Sequence, residues 1–209
     1  MKAGDDLDRR LAAGLAVMGI PALPEQRAML LAFLALMQKW NRTYNLTAIR
    51  DPSTAVDLHL LDSLTVWPYL HGHRVLDVGT GAGLPGVPLA LMSPERAFAL
   101  LDSNAKKTRF VQQAVIELGL KNVDVVTARV EQYRPESGFD TVLARAYAGL
   151  QDILADTAGL LAPHGKLLAQ KGQVPAEEIE SIKHHTVRVH RLAIPRVKAE
   201  RHLIEIAAD

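Results

Sequence analysis

The chain has no cysteine among its 209 residues. Disulfide staples, thiolate metal sites and cysteine nucleophiles are thereby excluded. An excess of one charge is missing too, since 24 Lys and Arg face 23 Asp and Glu for a formal net charge of +1. Any nucleic-acid surface must then come from local clustering rather than from a globally basic protein. The longest apolar run, residues 28–37, is too short to span a bilayer. The start of the chain, Met1-Lys2-Ala3-Gly4-Asp5-Asp6-Leu7-Asp8, lacks the basic-then-apolar order of a secretory signal. A cytoplasmic protein is expected, in which Asn41-Arg42-Thr43 and Asn45-Leu46-Thr47 match glycosylation sites without consequence. There is no repeat or low-complexity tract. The histidines show no ligand spacing, with His184 and His185 adjacent and His59 three before Asp62, so no metal site is expected.

Apolar residues make up 48% of the chain, ample for a core of ordinary domain size with an appendage. Residues 1–72 read as a helical region. Leu7, Leu11 and Leu15 share a helical face, Pro24 and Glu25 open a helix that runs through Trp40, and 58–70 reads as a third helix interrupted by Pro68. From Arg74 the pattern changes to strands at 74–78, 96–101, 123–127, 139–144 and 166–170, alternating with helices near 86–92, 104–118 and 149–160. This predicts an α/β fold with a doubly wound sheet over 73–209. Thr186–Arg191 and His202–Ala207, separated by Pro195, add an antiparallel pair at the sheet edge.

The most informative segment is Arg74-Val-Leu-Asp77-Val-Gly79-Thr-Gly81-Ala-Gly83-Leu84-Pro-Gly86, an apolar strand running into a glycine-dense turn. Glycine permits positive φ and brings the backbone close to a ligand. Gly81 to Gly86 also matches the dinucleotide pattern G-x-G-x-x-G. A carboxylate at Asp77 instead suits S-adenosylmethionine, whose ammonium it could pair, because a pyrophosphate would be repelled. From local chemistry the methyl donor, a dinucleotide and a structural turn all stay open. A second strand closes on Asp102-Ser103, where an acid would meet ribose hydroxyls. The alternative is that Asp102 caps the following helix.

Basic charge gathers at Lys106, Lys107 and Arg109 in the first turns of that helix, where it opposes the macrodipole. It gathers again over 183–202, where Lys183, Arg188, Arg191, Arg196, Lys198 and Arg201 face Glu200 alone. Arg188 and His190 would share one face of a strand. RNA or DNA is a plausible substrate, and a solvated surface is the other reading. Arg145 and Lys171 each follow an apolar strand, at the sheet edge where α/β enzymes place ligands. A plain salt bridge is the alternative for either cation. Tyr147 could stack on a base or pack as a half-buried ring.

Trp40-Asn-Arg-Thr-Tyr44-Asn45-Leu46-Thr47, His59-Leu-Leu-Asp62-Ser63-Leu64, the Asp77–Pro88 turn, Leu101-Asp102-Ser103, Arg129-Val130-Glu131, Arg145-Ala-Tyr147 and Lys171-Gly172 follow one another along nearly the whole chain. In this order they resemble the small-subunit ribosomal RNA methyltransferase G family, also called the glucose-inhibited division protein B family. The resemblance implies a class I, Rossmann-like methyltransferase domain. It also implies transfer of a methyl group from S-adenosylmethionine to N7 of a guanine in the decoding-region loop of bacterial 16S rRNA. The substrate would be that rRNA or the assembling small ribosomal subunit, and the enzyme a monomer. Carried over by motif, cofactor contacts fall on Gly79 and Leu84, on Val130 and Glu131 beside the adenine, and on Arg145, with Asp102 on the ribose side. Asp77, Gly81 and Gly83 complete the expected cofactor set. Lys106, Lys107, Arg129, Arg145, Lys171 and Arg201 would lie near RNA. The chain has Ala144-Arg145-Ala146-Tyr147 where the family often has Ser-Arg-Ala-Phe, which keeps the cation and the ring but moves the hydroxyl.

Guanine N7 carries a lone pair and no proton, so alignment matters more than a general base. Arg145 is the expected catalytic residue. The lack of cysteine argues against cysteine-linked C5 methylation, and no Asn/Asp-Pro-Pro-Tyr segment supports amino methylation. The competing classes are a NAD-linked oxidoreductase and a cofactor-binding RNA chaperone without turnover.

Overall fold

The computed structural model describes residues 3–145 and 149–208. Seven strands form one sheet: β1 (Arg74–Val78), β2 (Ala97–Asp102), β3 (Val123–Thr127), β4 (Phe139–Arg145), β5 (Leu161–Lys171), β6 (His185–Arg191) and β7 (His202–Ala208). Their order is β3-β2-β1-β4-β5-β7-β6. The first five are parallel, and β7 runs antiparallel between β5 and β6. The two edges are therefore β3 and β6, with the antiparallel pair β7-β6 at one of them. Strand order reverses between β1 and β4, and in open α/β sheets that crevice receives the ligand.

Alternation along the strands sends side chains to two apolar layers. Val75, Phe98, Leu100, Leu143 and Leu168 face one way, while Leu76, Ala99, Leu101, Val142 and Leu167 face the other. The first layer is covered by helices α1 (Ala3–Val17), α2 (Pro24–Tyr44), α5 (Gly86–Met92) and α6 (Ala105–Glu117). Phe33 and Trp40 of α2 meet the ring of Phe110 in α6 at centroid distances of 6.1 and 5.7 Å. One apolar cluster thus joins Leu11 and Phe33 to Phe98 and Phe110, and residue 72 marks a change of pattern rather than a gap in packing. Helix α7 (Leu150–Thr157) covers the opposite layer.

The helix expected over 58–70 starts earlier and is broken into pieces. Asp51 caps α3 (Pro52–Ala55) by accepting from the Thr54 amide at 2.7 Å, with Pro52 in the first turn. A π-helical segment, Val56–Leu61, follows and passes into α4 (Asp62–Leu64), and Trp67–Tyr69 forms a separate 3₁₀ turn around Pro68. Helix α8 (Ala176–Ser181) has no counterpart in the sequence reading, because six residues are too few to reveal a period. Strand β5 begins at Leu161 rather than 166, with a register shift against β4 between Phe139 and Thr141. Among the described residues no helix is long and apolar enough to cross a membrane.

Candidate functional site

The turn after β1 is held by its own polar groups. Gly79, Gly81 and Gly83 have φ of 70°, 60° and 78°, a region side chains other than glycine rarely adopt. The amides of Gly79 and Thr80 both donate to the Leu101 carbonyl, at 2.8 and 3.0 Å, and bind the turn to β2. Asp77 lies beneath it with no exposed surface, its Oδ2 accepting from the Thr80 hydroxyl at 2.6 Å and the Gly86 amide at 3.0 Å. Burial pushes its pKa up to about 6. The carboxylate therefore braces the turn through Oδ2 and is not among the side chains that wall the cavity in front of it, while its Oδ1 lies buried without a hydrogen-bond partner.

Asp102 behaves differently. Its Oδ2 accepts from the Gly81 amide at 2.9 Å and its Oδ1 from the Asn104 amide at 2.8 Å. The cap of α6 is Asn104, whose side chain accepts from the amides of Lys106 and Lys107 at 3.0 and 3.4 Å. The capping alternative for Asp102 is thereby removed. Each carboxylate oxygen keeps acceptor capacity toward a cavity of about 300 Å³. That cavity is walled by Val78, Gly79, Leu101, Asp102, Val130 and Arg145, with Lys107, Arg129 and Glu131 at its margin. Leu101 and Val130 supply apolar walls, Asp102 an acceptor pair and Gly79 bare backbone, which together fit a nucleoside. Gly81 serves through its amide. Gly83 and Leu84 stand behind: a Cβ on Gly83 would meet Val87 Cγ2 at 2.8 Å, and Leu84 belongs to the core.

A second cavity, of about 340 Å³, adjoins the first through Arg145 and is lined by Asp62, Gln170, Lys171, Gly172 and Arg201 as well. Arg145 comes from the end of β4, Lys171 from the end of β5 and Arg201 from the residue before β7, so the sheet's topology gathers three cations that lie far apart in sequence. Arg145 Nη1 and Arg201 Nε lie 3.5 Å from opposite oxygens of Asp62, and Lys171 Nζ lies 3.7 Å from Glu178. The loop behind is locked by Asn41, which exchanges two 2.9 Å hydrogen bonds with the backbone of Thr47. The Thr47 hydroxyl in turn meets His59 Nε2 at 2.9 Å. Burial, reinforced by the Arg145 charge, pushes the His59 pKa down to about 4 and leaves the ring neutral at pH 7.

Lys106 is exposed on the first turn of α6, outside both cavities. Tyr147 lies outside the described residues. Part of the tail's basic cluster is spent internally: Arg196 pairs with Asp57 at 2.8 Å, while Arg188 and His190 reach Glu205 at 3.7 and 2.9 Å. Lys183, Arg191 and Lys198 remain on the exposed surface. Asp62 was quoted from the sequence only within the His59–Leu64 block and given no role, and Gln170 was not singled out; its only signal is a polar residue at the end of an apolar stretch.

The family model described as "rRNA small subunit methyltransferase G" matches residues 26–204. The chain belongs to this family. Its relatives include the ribosomal RNA small subunit methyltransferase G of Methylococcus capsulatus, 57% identical over 94% of this chain and 96% of that protein. The protein of the same name from Nitrosococcus oceani is 49% identical over 94% and 92%. Among solved structures, the N-methyltransferase NodS of Bradyrhizobium japonicum in complex with S-adenosyl-L-homocysteine superposes with a TM-score of 0.57 at 13% identity, covering 83% of this chain and 98% of that one. This last likeness concerns the fold alone. As a family member the chain is an S-adenosylmethionine-dependent rRNA methyltransferase, as the ordered motifs implied.

Proposed function

We propose that the first cavity holds S-adenosylmethionine and the second the target nucleotide, and that the chain methylates N7 of a guanine in the decoding-region loop of 16S rRNA. The observation that carries this reading is Arg145, the one described side chain that lines both cavities. S-adenosylmethionine supplies an electrophilic methyl group when bound. Asp102 would accept from the ribose hydroxyls, Leu101 and Val130 would sandwich the base, and the Gly79 backbone would border the methionine half. Arg145, Lys171 and Arg201 would bind and orient the RNA, with Lys106, Lys107 and Arg129 extending the basic track. At the junction of the cavities the side chains are cations or already paired acids, and the nearby histidine is neutral and buried. Such a site orients an acceptor that has no proton to lose, as guanine N7 has none.

In this reading residues 73–209 form the cofactor-binding domain and 1–72 a helical region packed on it. The protein works in the cytoplasm as a monomer, on 16S rRNA or the assembling small subunit. Purified chain, tritium-labelled donor and small subunits lacking the modification test it, beside naked 16S rRNA. Label in 16S rRNA is expected, together with calorimetric binding of S-adenosyl-L-homocysteine that Asp102→Ala weakens by about 1.5–3 kcal/mol. Binding of NAD in place of the homocysteine, with no label in either RNA, would overturn it.

A further inference from the structure

Asp62 opens α4 directly after the π-helical segment, and its side chain is only 6% exposed. Two arginines from separate parts of the sheet converge on it. Arg145 Nη1 stands 3.5 Å from Oδ2 and Arg201 Nε 3.5 Å from Oδ1. The backbone around this carboxylate is fixed as well: Gln170 Nε2 donates to the Asp62 carbonyl at 3.4 Å, and the Arg201 carbonyl accepts from the Leu192 amide at 2.8 Å. Oδ1 is buried and has no closer hydrogen-bond donor.

This geometry is poorly suited to a purely structural ion pair. Taking a carboxylate out of water costs several kcal/mol, recovered only with short, well-aligned partners. Charge-assisted N–H···O contacts run about 2.7–2.9 Å, and both contacts here are longer. The closest approach to Asp62 is made by one nitrogen of each guanidinium, out of a fork with five N–H donors. Both arginines also line the second cavity, and Arg145 lines the first. Asp62 is thus the one charge that both side chains share, with Arg201 Nη1 also donating to the Glu200 carbonyl at 2.9 Å, and one net positive charge is left in the trio for an anionic ligand.

We propose that Asp62 is a positioning residue for methyl transfer: it holds Arg145 and Arg201 apart around the second cavity so that their outward donors meet the target nucleotide in register with the cofactor cavity. The inference rests on the assignment of the second cavity to the RNA nucleotide. Asp62 lines the same cavity, and the role assigned to it is exerted through the two guanidiniums rather than on the reacting atoms.

The experiment compares wild type with Asp62→Asn, which keeps the shape and removes the charge, in full-length protein whose thermal melt is followed in parallel. Removing the carboxylate leaves more net positive charge at the cavity, so affinity for 16S rRNA should be unchanged or higher. The single-turnover rate at saturating RNA and donor should nevertheless fall at least tenfold. Affinity for S-adenosyl-L-homocysteine should stay within threefold. In an Arg201→Ala background the same substitution should slow transfer less than threefold, because part of what Asp62 holds is already gone. Wild-type rates in folded Asp62→Asn, a rate loss matched by equal loss of RNA affinity, or additive losses in the double variant would each overturn the proposal. Should Asp62→Asn fail to fold, Asp62→Glu decides, since a carboxylate displaced by one methylene should slow transfer while RNA affinity holds, and an undiminished rate overturns. If the wild type itself puts no label on rRNA, the reading of function fails, and the RNA-affinity arm alone then judges Asp62, a loss of affinity counting against it.

Discussion

At pH 7 the imidazole of His59 is uncharged because burial and the Arg145 guanidinium hold its pKa at about 4. The unfolded chain takes up that proton first on acidification, so stability tied to His59 is lost as pH falls through 6.5 toward 4. Asp77 works in the opposite sense. Its pKa of about 6 lies above the ordinary carboxylate value, so the folded chain is protonated first and gains stability as pH falls through 6 toward 3.8. Each effect amounts to about 3 kcal/mol, and the two largely cancel. Thermal melts should therefore show His59→Gln faring better against wild type at pH 5 than at pH 7.5, and Asp77→Asn faring worse at pH 5 than at pH 7.5. Parallel profiles for either variant would contradict the assignment. At this scale the glycine turn and Asp102 were legible, because both lie at strand ends within one β-α-β stretch. The bracing role of Asp77 was not, since it depends on which side of the turn its oxygens face. The role of Asp62 and the place of Gln170 were hidden for a different reason: their contact spans 108 residues of sequence.

At the level of elements, basic residues differ by what lies opposite them. Lys106 and Lys107 sit in the first turn of α6, whose amides are already capped by Asn104, so their charge opposes the helix dipole and is free for an external anion. Neutralising both with Lys106→Gln/Lys107→Gln should weaken RNA binding and reduce its salt slope by about 1–2, without lowering the melting temperature. Arg196→Gln should do the reverse, because Arg196 is paired to Asp57 in the fold. A double lysine variant with unchanged salt dependence would return those side chains to ordinary surface. The strands of the parallel core were legible to within a residue or two, except for the start of β5. The broken helix from Pro52 to Leu64 was not, although Asp51-Pro52 is a readable start signal. Its π turn buries Asp57 and His59 beside Leu60 and Leu61, so no amphipathic stripe marks it.

For the whole molecule, Asp57 is the point where three distant segments meet. Arg10 of α1 and Arg196 of the β6–β7 connection both donate to its carboxylate, which sits in the π segment. These contacts hold its pKa below the ordinary value, so the stability they contribute is present at neutral pH and is lost in strong acid. Asp57→Ala should destabilise the protein by about 3 kcal/mol, the low end for a buried pair, because both guanidiniums are about one-third exposed. Denaturant unfolding measures this, and a loss below 1 kcal/mol would deny the tie. The overall architecture followed from the alternation of strands and helices, whereas the packing of the N-terminal helices into the same core as the sheet could not be read from local patterns.

The proposed reaction puts the methyl group on one atom, N7 of one guanine. Small subunits lacking the modification should be treated with the chain and unlabelled donor, and their 16S rRNA digested with nuclease and analysed by mass spectrometry. The expected result is 7-methylguanosine at a single position in the decoding-region loop. A methyl group on N1, N2 or a ribose oxygen, or 7-methylguanosine scattered over many positions, would contradict it.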